Sequence, residues 1–121
     1  MRYEITADQD RGLIQTKVWG ELTVETVTEL TSEVGAVAAK LGFARFLFDM
    51  REASENASTT DAFILAADPE KRGMHPQYRR AIVHRGEEEA YAFFENVSVN
   101  RGYRVKTFTD IDRALEWLQE D

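Results

Sequence analysis

The chain has 121 residues, of which 43% are hydrophobic and 31% are charged, a composition typical of a compact globular domain and not of a disordered or fibrous chain. It contains no cysteine, which excludes disulfides, thiolate chemistry and cysteine-ligated metal sites. Its 15 basic and 22 acidic side chains give a formal net charge of −7, which disfavours nucleic acid and anionic membrane surfaces as partners.

In the first part of the chain, apolar residues repeat first every two residues, as in strands, and then every 3.6 residues, as in a helix. Residues 2–6 and 13–19, joined by a polar turn, predict an antiparallel hairpin with one buried face. Apolar residues then recur at steps of three to four over 24–41, which predicts a long amphipathic helix. Thr23 is expected to cap the start of this helix, and Gly42 to end it.

The middle of the chain predicts a buried strand and a short helix. Residues 46–48 are continuously apolar and are followed by Asp49, a pattern typical of a short central strand covered on both faces. A polar connection over 51–60 is expected next. Residues 63–67 then predict a short helix that ends before Pro69, because the residue before a proline disfavours helical angles.

The last third contains two more strand and helix pairs. Residues 81–83 predict a buried strand, and 90–97 predict a helix that opens with the acidic residues 87–89. Residues 103–106 alternate in polarity and predict a strand nearer the sheet edge. The segment 109–118 predicts a final helix, with Thr109 beginning an approximate capping box.

The predicted order is β-β-α-β-α-β-α-β-α in a single domain over residues 1–121. Helical crossovers imply parallel neighbouring strands, so we expect an α/β fold: a mostly parallel central sheet with an N-terminal antiparallel hairpin and four helices. Ligands of such sheets bind beyond the carboxyl ends of the strands. Here those ends carry residues 49–52, 84–86 and 107–110.

Five segments, by their order and spacing, resemble a known fold: 18–23 (Val-Trp-Gly-Glu-Leu-Thr), 45–49 (Arg-Phe-Leu-Phe-Asp), 80–83 (Arg-Ala-Ile-Val), 105–108 (Val-Lys-Thr-Phe) and 114–118 (Ala-Leu-Glu-Trp-Leu). They resemble the STAS domain, which is shared by anti-anti-sigma factors and the cytoplasmic tails of sulfate transporters. The chain is more similar to small stand-alone SpoIIAA-like proteins, which have also been grouped with lipid-carrying Sec14 domains. The resemblance implies a bacterial regulatory module that binds a partner protein or small ligand and is not an enzyme.

The resemblance also implies a phosphorylation site. In anti-anti-sigma factors a partner kinase phosphorylates a serine at the start of the second helix, within an Asp-Ser-Ser/Thr-Gly motif. Counted from Asp49 without gaps, that motif falls on Ala57-Ser58-Thr59-Thr60, so Ser58 is the candidate phosphoacceptor, while Ala57 and Thr60 depart from the motif. The alternative is that Ser58, Thr59 or Thr60 serves only as a helix N-cap.

Two groups of residues are candidates for binding. The partner or ligand is expected at the carboxyl ends of the strands, where it would contact Asp49, Arg51, Glu52, Thr59, His84 and Arg85. Residues 71–85 carry five basic side chains and no acidic one, which predicts an anion-binding patch of Lys71, Arg72 and Arg79 or, alternatively, a solvated loop. Arginines at the strand starts are expected to be solvated: Arg45, Arg79, Arg80 and Arg104.

Other functions remain as alternatives. A Sec14-like carrier of a small apolar or anionic-headed ligand would use 63–65 as its gate. A small hydrolase, the least favoured alternative, would combine Asp49 and His84 with Ser54 or Ser58, but neither serine has the flanking glycines of a nucleophile elbow.

Nothing in the sequence predicts a cofactor, a metal or a membrane span. The seven glycines are isolated, so there is no glycine-rich phosphate loop, and no pair among the possible metal ligands Asp49, Glu52 and His84 has the helical i, i+4 spacing. The longest apolar run, 62–67, is far shorter than the roughly 20 residues that span a bilayer. Residues 1–4 do not resemble a signal peptide, so we expect a cytoplasmic protein. A homodimer through the sheet edge or the third helix stays open.

Overall fold

The computed structural model describes residues 1–54, 58–86 and 89–120, without the side chains of Ser54, Thr59 and Thr60. The elements of this part, in chain order, are β1 (Arg2–Asp8), β2 (Leu13–Glu21), α1 (Val24–Leu41), β3 (Arg45–Ser54), α2 (Thr59–Ala67), a 3-10 helix (Pro69–Arg72), β4 (Arg79–Val83), α3 (Glu89–Asn100), β5 (Arg104–Phe108) and α4 (Ile111–Gln119).

Within the described residues, the five strands form one sheet in the order β1-β2-β3-β4-β5. β1 and β2 pair antiparallel, and every other neighbouring pair is parallel. The predicted α/β fold, with its N-terminal hairpin and four helices, is therefore confirmed. β3 is the central strand and β5 is an edge strand, as predicted.

The helices divide between the two faces of the sheet. Side chains alternate between the faces of a strand, and the buried side chains accordingly form two clusters. The cluster on the side of α1, α2 and α3 includes Ile14, Val18, Phe46, Phe48 and Ile82. The cluster on the side of α4 includes Leu13, Leu47, Ala81, Val83, Ala114 and Leu118. We call these two sides the three-helix face and the α4 face.

Helix α1 begins and ends where the sequence predicts. The Thr23 hydroxyl accepts a hydrogen bond from the backbone N–H of Thr26 at 3.1 Å, and Gly42 ends the helix with a φ of 74°. In the middle of α1, Gly35 lies directly against the 3-10 helix: a Cβ built there would overlap the carbonyl oxygen of Arg72. The absent side chain is therefore what allows the two helices to approach this closely.

Two predicted boundaries are wrong. β3 does not end at Asp49 but continues to Ser54, because its second half pairs with residues 19–21 of β2. The N-cap of α4 is Asp110, not Thr109: its carboxylate accepts from the N–H of Asp112 at 2.8 Å. Residues 87 and 88, which were expected to open α3, lie outside the described residues.

The expectation that arginines at the strand starts are solvated is wrong for Arg79 and Arg80, which are 8% and 4% exposed. Arg79 points to the α4 face. Its Nη1 donates to the carbonyl oxygens of Trp117 at 2.8 Å and of Glu120 at 2.6 Å. Arg79 thereby caps the C-terminal end of α4, where the Trp117 carbonyl also accepts from the backbone N–H of Glu120 at 3.3 Å.

Replacing Gly35 with alanine is expected to destabilise the protein by about 1 to 3 kcal/mol, although alanine is the better helix former, because the added methyl group overlaps the Arg72 carbonyl. Urea unfolding followed by circular dichroism measures the change. The control is Ser32→Ala on the exposed side of α1, which should stay within about 0.5 kcal/mol of the natural chain. Equal stability of the two variants would contradict this packing.

Candidate functional site

A cavity of about 490 Å³ lies at the carboxyl end of the parallel strands, on the three-helix face. Met50 of β3 and Ile82 of β4 line it from the sheet. The other lining residues come from the start of α1 or just before it (Leu22, Thr23, Val24, Val27), from α2 and its N-cap (Ser58, Asp61, Ala62, Leu65) and from the start of α3 (Glu89, Ala90, Tyr91, Phe94). Most of these side chains are apolar.

The parallel pairing explains why three helix starts meet here. β2, β3 and β4 run in the same direction, with Asp49 of β3 opposite Val83 of β4. Each strand is followed by a helix that returns over the sheet, so all three crossovers leave from one edge. We call this the carboxyl edge.

Ser58 is exposed at the start of α2 and caps that helix. Its hydroxyl accepts from the N–H of Asp61 at 3.1 Å, and the Asp61 carboxylate accepts from the N–H of Ser58 at 3.5 Å, which completes a capping box. Ser58 therefore is the N-cap of α2, the role given as the alternative in the sequence analysis. Thr59 is the first residue of α2, and its side chain is not among those described.

Asp49 and Arg51 form a bidentate ion pair on β3. Arg51 Nε donates to Asp49 Oδ1 at 2.9 Å, and Nη2 donates to Oδ2 at 2.8 Å. The register between β2 and β3 shifts just here, between Lys17 and Trp19, so that β3 has one extra residue. The backbone N–H of Arg51 donates to Asp49 Oδ1 at 3.1 Å, which supplies that N–H with an acceptor at the irregularity.

The ion pair controls the protonation of Asp49. Hydrogen bonding from the Arg51 side chain lowers the pKa of the Asp49 carboxyl below its ordinary value, against the opposing effect of burial. Lys17 on the neighbouring strand lowers this pKa further. The carboxylate is thus held in its ionised form with both oxygens bound to Arg51.

His84 is buried immediately after β4. Its Nδ1 accepts from the backbone N–H of Gly86 at 3.3 Å, and its ring stacks on Tyr91 of α3 with centroids 4.5 Å apart. His84 also lines a second, smaller cavity of about 270 Å³, together with residues of 107–110 and Arg113. The next residue, Arg85, is exposed.

The structure brings only part of the predicted contact set together. Asp49 pairs with Val83, which belongs to the α4 cluster, so Asp49 and its partner Arg51 lie on the α4 face. Glu52 is exposed and pairs with Trp19. Ser58 lines the cavity on the three-helix face. Asp49 and Ser58 are therefore separated by the sheet, and these two side chains do not assemble the arrangement that a hydrolase would need.

Of the three basic residues of the predicted anion patch, Lys71 and Arg72 are neighbours in the 3-10 helix, whereas Arg79 lies on the other face of the sheet. Lys71 is exposed, and its Nζ is 3.0 Å from Asp68 Oδ2. Arg72 is half-buried on the three-helix side, where its Nη2 donates to the carbonyl of Leu65. Arg79 points to the α4 face, as described above.

Sequence reasoning missed the cavity and the burial of Arg80. The sequence signal for the cavity was the group of apolar residues Leu22, Val24 and Val27 around the start of α1. A helix start does not need this many apolar side chains for its own packing. Of the predicted gate residues, Leu65 does line the cavity, whereas Phe63 and Ile64 are 46% and 48% exposed.

No protein-family model matches the sequence, and no curated protein matches it. Solved structures do match over nearly their full length. An anti-sigma factor antagonist from Mycobacterium paratuberculosis superposes with a TM-score of 0.64 at 20% identity, covering 98% of this chain and 96% of that one. The antagonist SpoIIAA in its unphosphorylated form gives a TM-score of 0.57 at 11% identity, covering 99% and 100%.

The chain has the SpoIIAA-like fold. An uncharacterised protein of the DUF3478 family from Shewanella loihica PV-4, described as having a SpoIIAA-like fold, also matches, with a TM-score of 0.57 at 24% identity and coverage of 97% and 92%. The resemblance to the STAS domain is thus confirmed as a likeness of fold.

Over 1–54, 58–86 and 89–120, no helix combines the length and the apolar character that a bilayer crossing requires. In the same ranges, His, Asp and Glu side chains form no group of three or more that is arranged to hold a metal ion.

Asp49→Asn is expected to cost stability at neutral pH and progressively less in acid. The folded pKa of Asp49 lies below its unfolded pKa, so its ion pair contributes fully above the unfolded value and is lost as pH falls through the folded value, below about pH 4. Urea unfolding of the natural chain and of Asp49→Asn, from neutral to acidic pH, measures the difference between their free energies of unfolding. When Arg51 is also replaced by methionine, the effect of Asp49→Asn on the free energy of unfolding should lose most of its pH dependence. If the effect of Asp49→Asn in the natural chain did not change with pH, the Asp49–Arg51 ion pair would not be its cause.

Ser58→Ala is expected to destabilise the protein by about 1 kcal/mol through loss of the α2 cap, whereas Ser58→Asp should keep most of the stability because aspartate also caps helices. Thermal unfolding measures both variants. Ser32→Ala, which removes a serine hydroxyl from the exposed side of α1, is the control. If Ser58→Ala were as stable as this control, the cap would contribute nothing.

Proposed function

We propose that this chain is a regulatory module that binds a partner protein at the carboxyl edge, and that phosphorylation of Ser58 switches this binding. The observation that carries the proposal is the exposure of the Ser58 hydroxyl at the start of a helix whose outer side is apolar. The shared fold with anti-sigma factor antagonists, one of them described in an unphosphorylated form, supports it.

The exposed side of α2 supplies an apolar contact surface. Phe63 and Ile64 are adjacent large apolar side chains, and each leaves nearly half of its surface in solvent. The guanidinium of Arg101, 5.7 Å from the centre of the Phe63 ring, adds a cation at its border. Contiguous apolar surface with a polar border is typical of protein interaction sites.

A phosphate on Ser58 would change the charge beside this surface. It would add about −1.5 to −2 charges at the first turn of α2, where backbone N–H groups and the helix dipole favour an anion. The Asp61 carboxylate within the capping box and Glu89 across the cavity would oppose it. The added charge would therefore alter both the local hydrogen bonding and the affinity for a partner.

The remaining contacts are proposed along the same edge. Glu52 and Arg85 are exposed there, Thr59 follows Ser58, and His84 lies buried behind Arg85. The Asp49–Arg51 pair would present its charges on the α4 side of that edge. A binding role, not catalysis, is further supported by the Asp49 carboxylate, which is engaged by Arg51 at both oxygens.

Phosphorylation is tested on the chain isolated from its own host. Intact-mass analysis is expected to show a fraction carrying one phosphate group, with fragmentation assigning it to Ser58. Ser58→Ala should abolish this fraction, and Thr109→Ala, which removes another exposed hydroxyl near the carboxyl edge, should retain it. Phosphate that persists in Ser58→Ala would exclude Ser58 as the acceptor.

The partner surface is tested with a photo-crosslinking amino acid placed at position 64 and, as the control, at position 36 on the exposed side of α1. In host cells, position 64 should give one discrete protein adduct that position 36 lacks. Ser58→Asp should weaken this adduct by about an order of magnitude if the switch acts through charge. Equal labelling from both positions would argue against docking at α2.

A further inference from the structure

Two arginines lie behind the inner end of the cavity, on the three-helix face. Arg80 is almost fully buried, and its Nε and Nη2 have no hydrogen-bond acceptor among the described residues. Arg72 is half-buried, and its Nε also lacks an acceptor within that part of the chain. Because a buried cation without an acceptor is costly, the pair would gain from an anion placed between them.

Among the described residues, no carboxylate acts on Arg80 from its immediate surroundings. Its neighbours across the sheet are Phe46 and Val105, and its Cζ lies 5.8 Å from the ring centres of both Phe94 and Tyr103. Burial lowers the pKa of Arg80 to about 10, so that it remains a cation at neutral pH.

The two acidic side chains near Arg72 and Tyr103 are Asp68 and Glu70, and the charge of Asp68 favours the cationic form of Arg72. Asp68 forms an ion pair with Lys71 at 3.0 Å. Glu70 accepts from the Tyr103 hydroxyl at 3.0 Å. Both carboxylates are exposed, so neither compensates the charge of Arg80 from within the core.

The arginine pair adjoins residues that line the cavity. Ile82 of the cavity lies on the same side of β4 as Arg80, two residues along, or about 7 Å. Phe94 both lines the cavity and stacks near Arg80, and the carbonyl of Leu65, another lining residue, accepts from Arg72. Neither arginine lines the cavity itself; the Phe94 side chain lies between the apolar chamber and the buried Arg80, with the half-buried Arg72 beside Leu65.

We propose that the cavity and the arginine pair form one binding site for a small amphipathic carboxylate. The apolar part of the ligand fills the cavity, and its carboxylate reaches Arg80 and Arg72 when the Phe94 ring turns aside. The volume is within the range of about 300 to 1,000 Å³ that small-molecule sites occupy.

The charges at the outer part of the cavity orient this ligand. Asp61 and Glu89 line the cavity away from the arginines and repel a carboxylate there, which favours the orientation with the acidic group inward. A single negative charge also costs less to remove from water than the double charge of a phosphate. Phe63 and Ile64 of the partner surface lie on the outer side of α2 and do not line the cavity, whereas Ser58 borders both.

Isothermal titration calorimetry of the full chain with octanoate, octan-1-ol and acetate tests the site. Octanoate is expected to bind about tenfold or more tightly than octan-1-ol, the contribution of a charge-assisted hydrogen bond, and acetate should give no measurable binding. Arg80→Met should remove the preference for octanoate while leaving octan-1-ol binding unchanged. This variant should fold, because an apolar side chain of similar length replaces a buried charge.

Three further variants complete the experiment. Ala90→Leu fills the cavity and should weaken both eight-carbon ligands, whereas Arg104→Met, an exposed arginine of β5, should change neither. Arg72→Met should reduce the octanoate preference and provides the same comparison if Arg80→Met does not fold. Equal affinity of the natural chain for octanoate and octan-1-ol, no binding of either, or an octanoate preference that survives both arginine substitutions would overturn the proposal.

Discussion

The shared direction and register of β2, β3 and β4 is the constraint on which the rest of the structure depends. Asp49 of β3 lies opposite Val83, the last residue of β4, and although β3 continues to Ser54, the following helices start from one edge. The first turns of α1, α2 and α3 then surround a common space that none of them fills. The parallel pairing of the strands thus places the three helix starts around the cavity.

The same sheet also separates groups that are close in sequence. Asp49 and Met50 are consecutive, yet side chains alternate across a strand, so one belongs to the ion pair on the α4 face and the other to the cavity wall. A contact surface along the carboxyl edge therefore has two sides of different chemistry. One side is charged, and the other leads into an apolar chamber with Ser58 at its border.

Arg79 and Arg80 are consecutive residues of β4 whose side chains point to opposite faces of the sheet, and the two arginines therefore have different roles. The buried Arg79 side chain donates hydrogen bonds to carbonyl groups at the end of α4 and so caps that helix. Arg80 points to the opposite face, where aromatic rings and apolar strand neighbours surround it. Arg72 adds a second cation close to Arg80, so two positive charges lie near each other on the three-helix face.

The sequence by itself determined the order of the elements, the hairpin, the caps at Thr23 and Gly42 and the central position of β3, because these depend on local periodicity and on hydrogen bonds between near neighbours. It did not determine where β3 ends, because Ser54 stays in the sheet through pairing with β2. Only the tertiary structure decided that Asp49 and Ser58 lie on opposite sides of the sheet and that Arg80 is buried. The face and the burial of each of these side chains depend on which strands and helices pack next to its own strand or helix. The chemistry of a single residue carries no information about neighbours that are distant in the sequence.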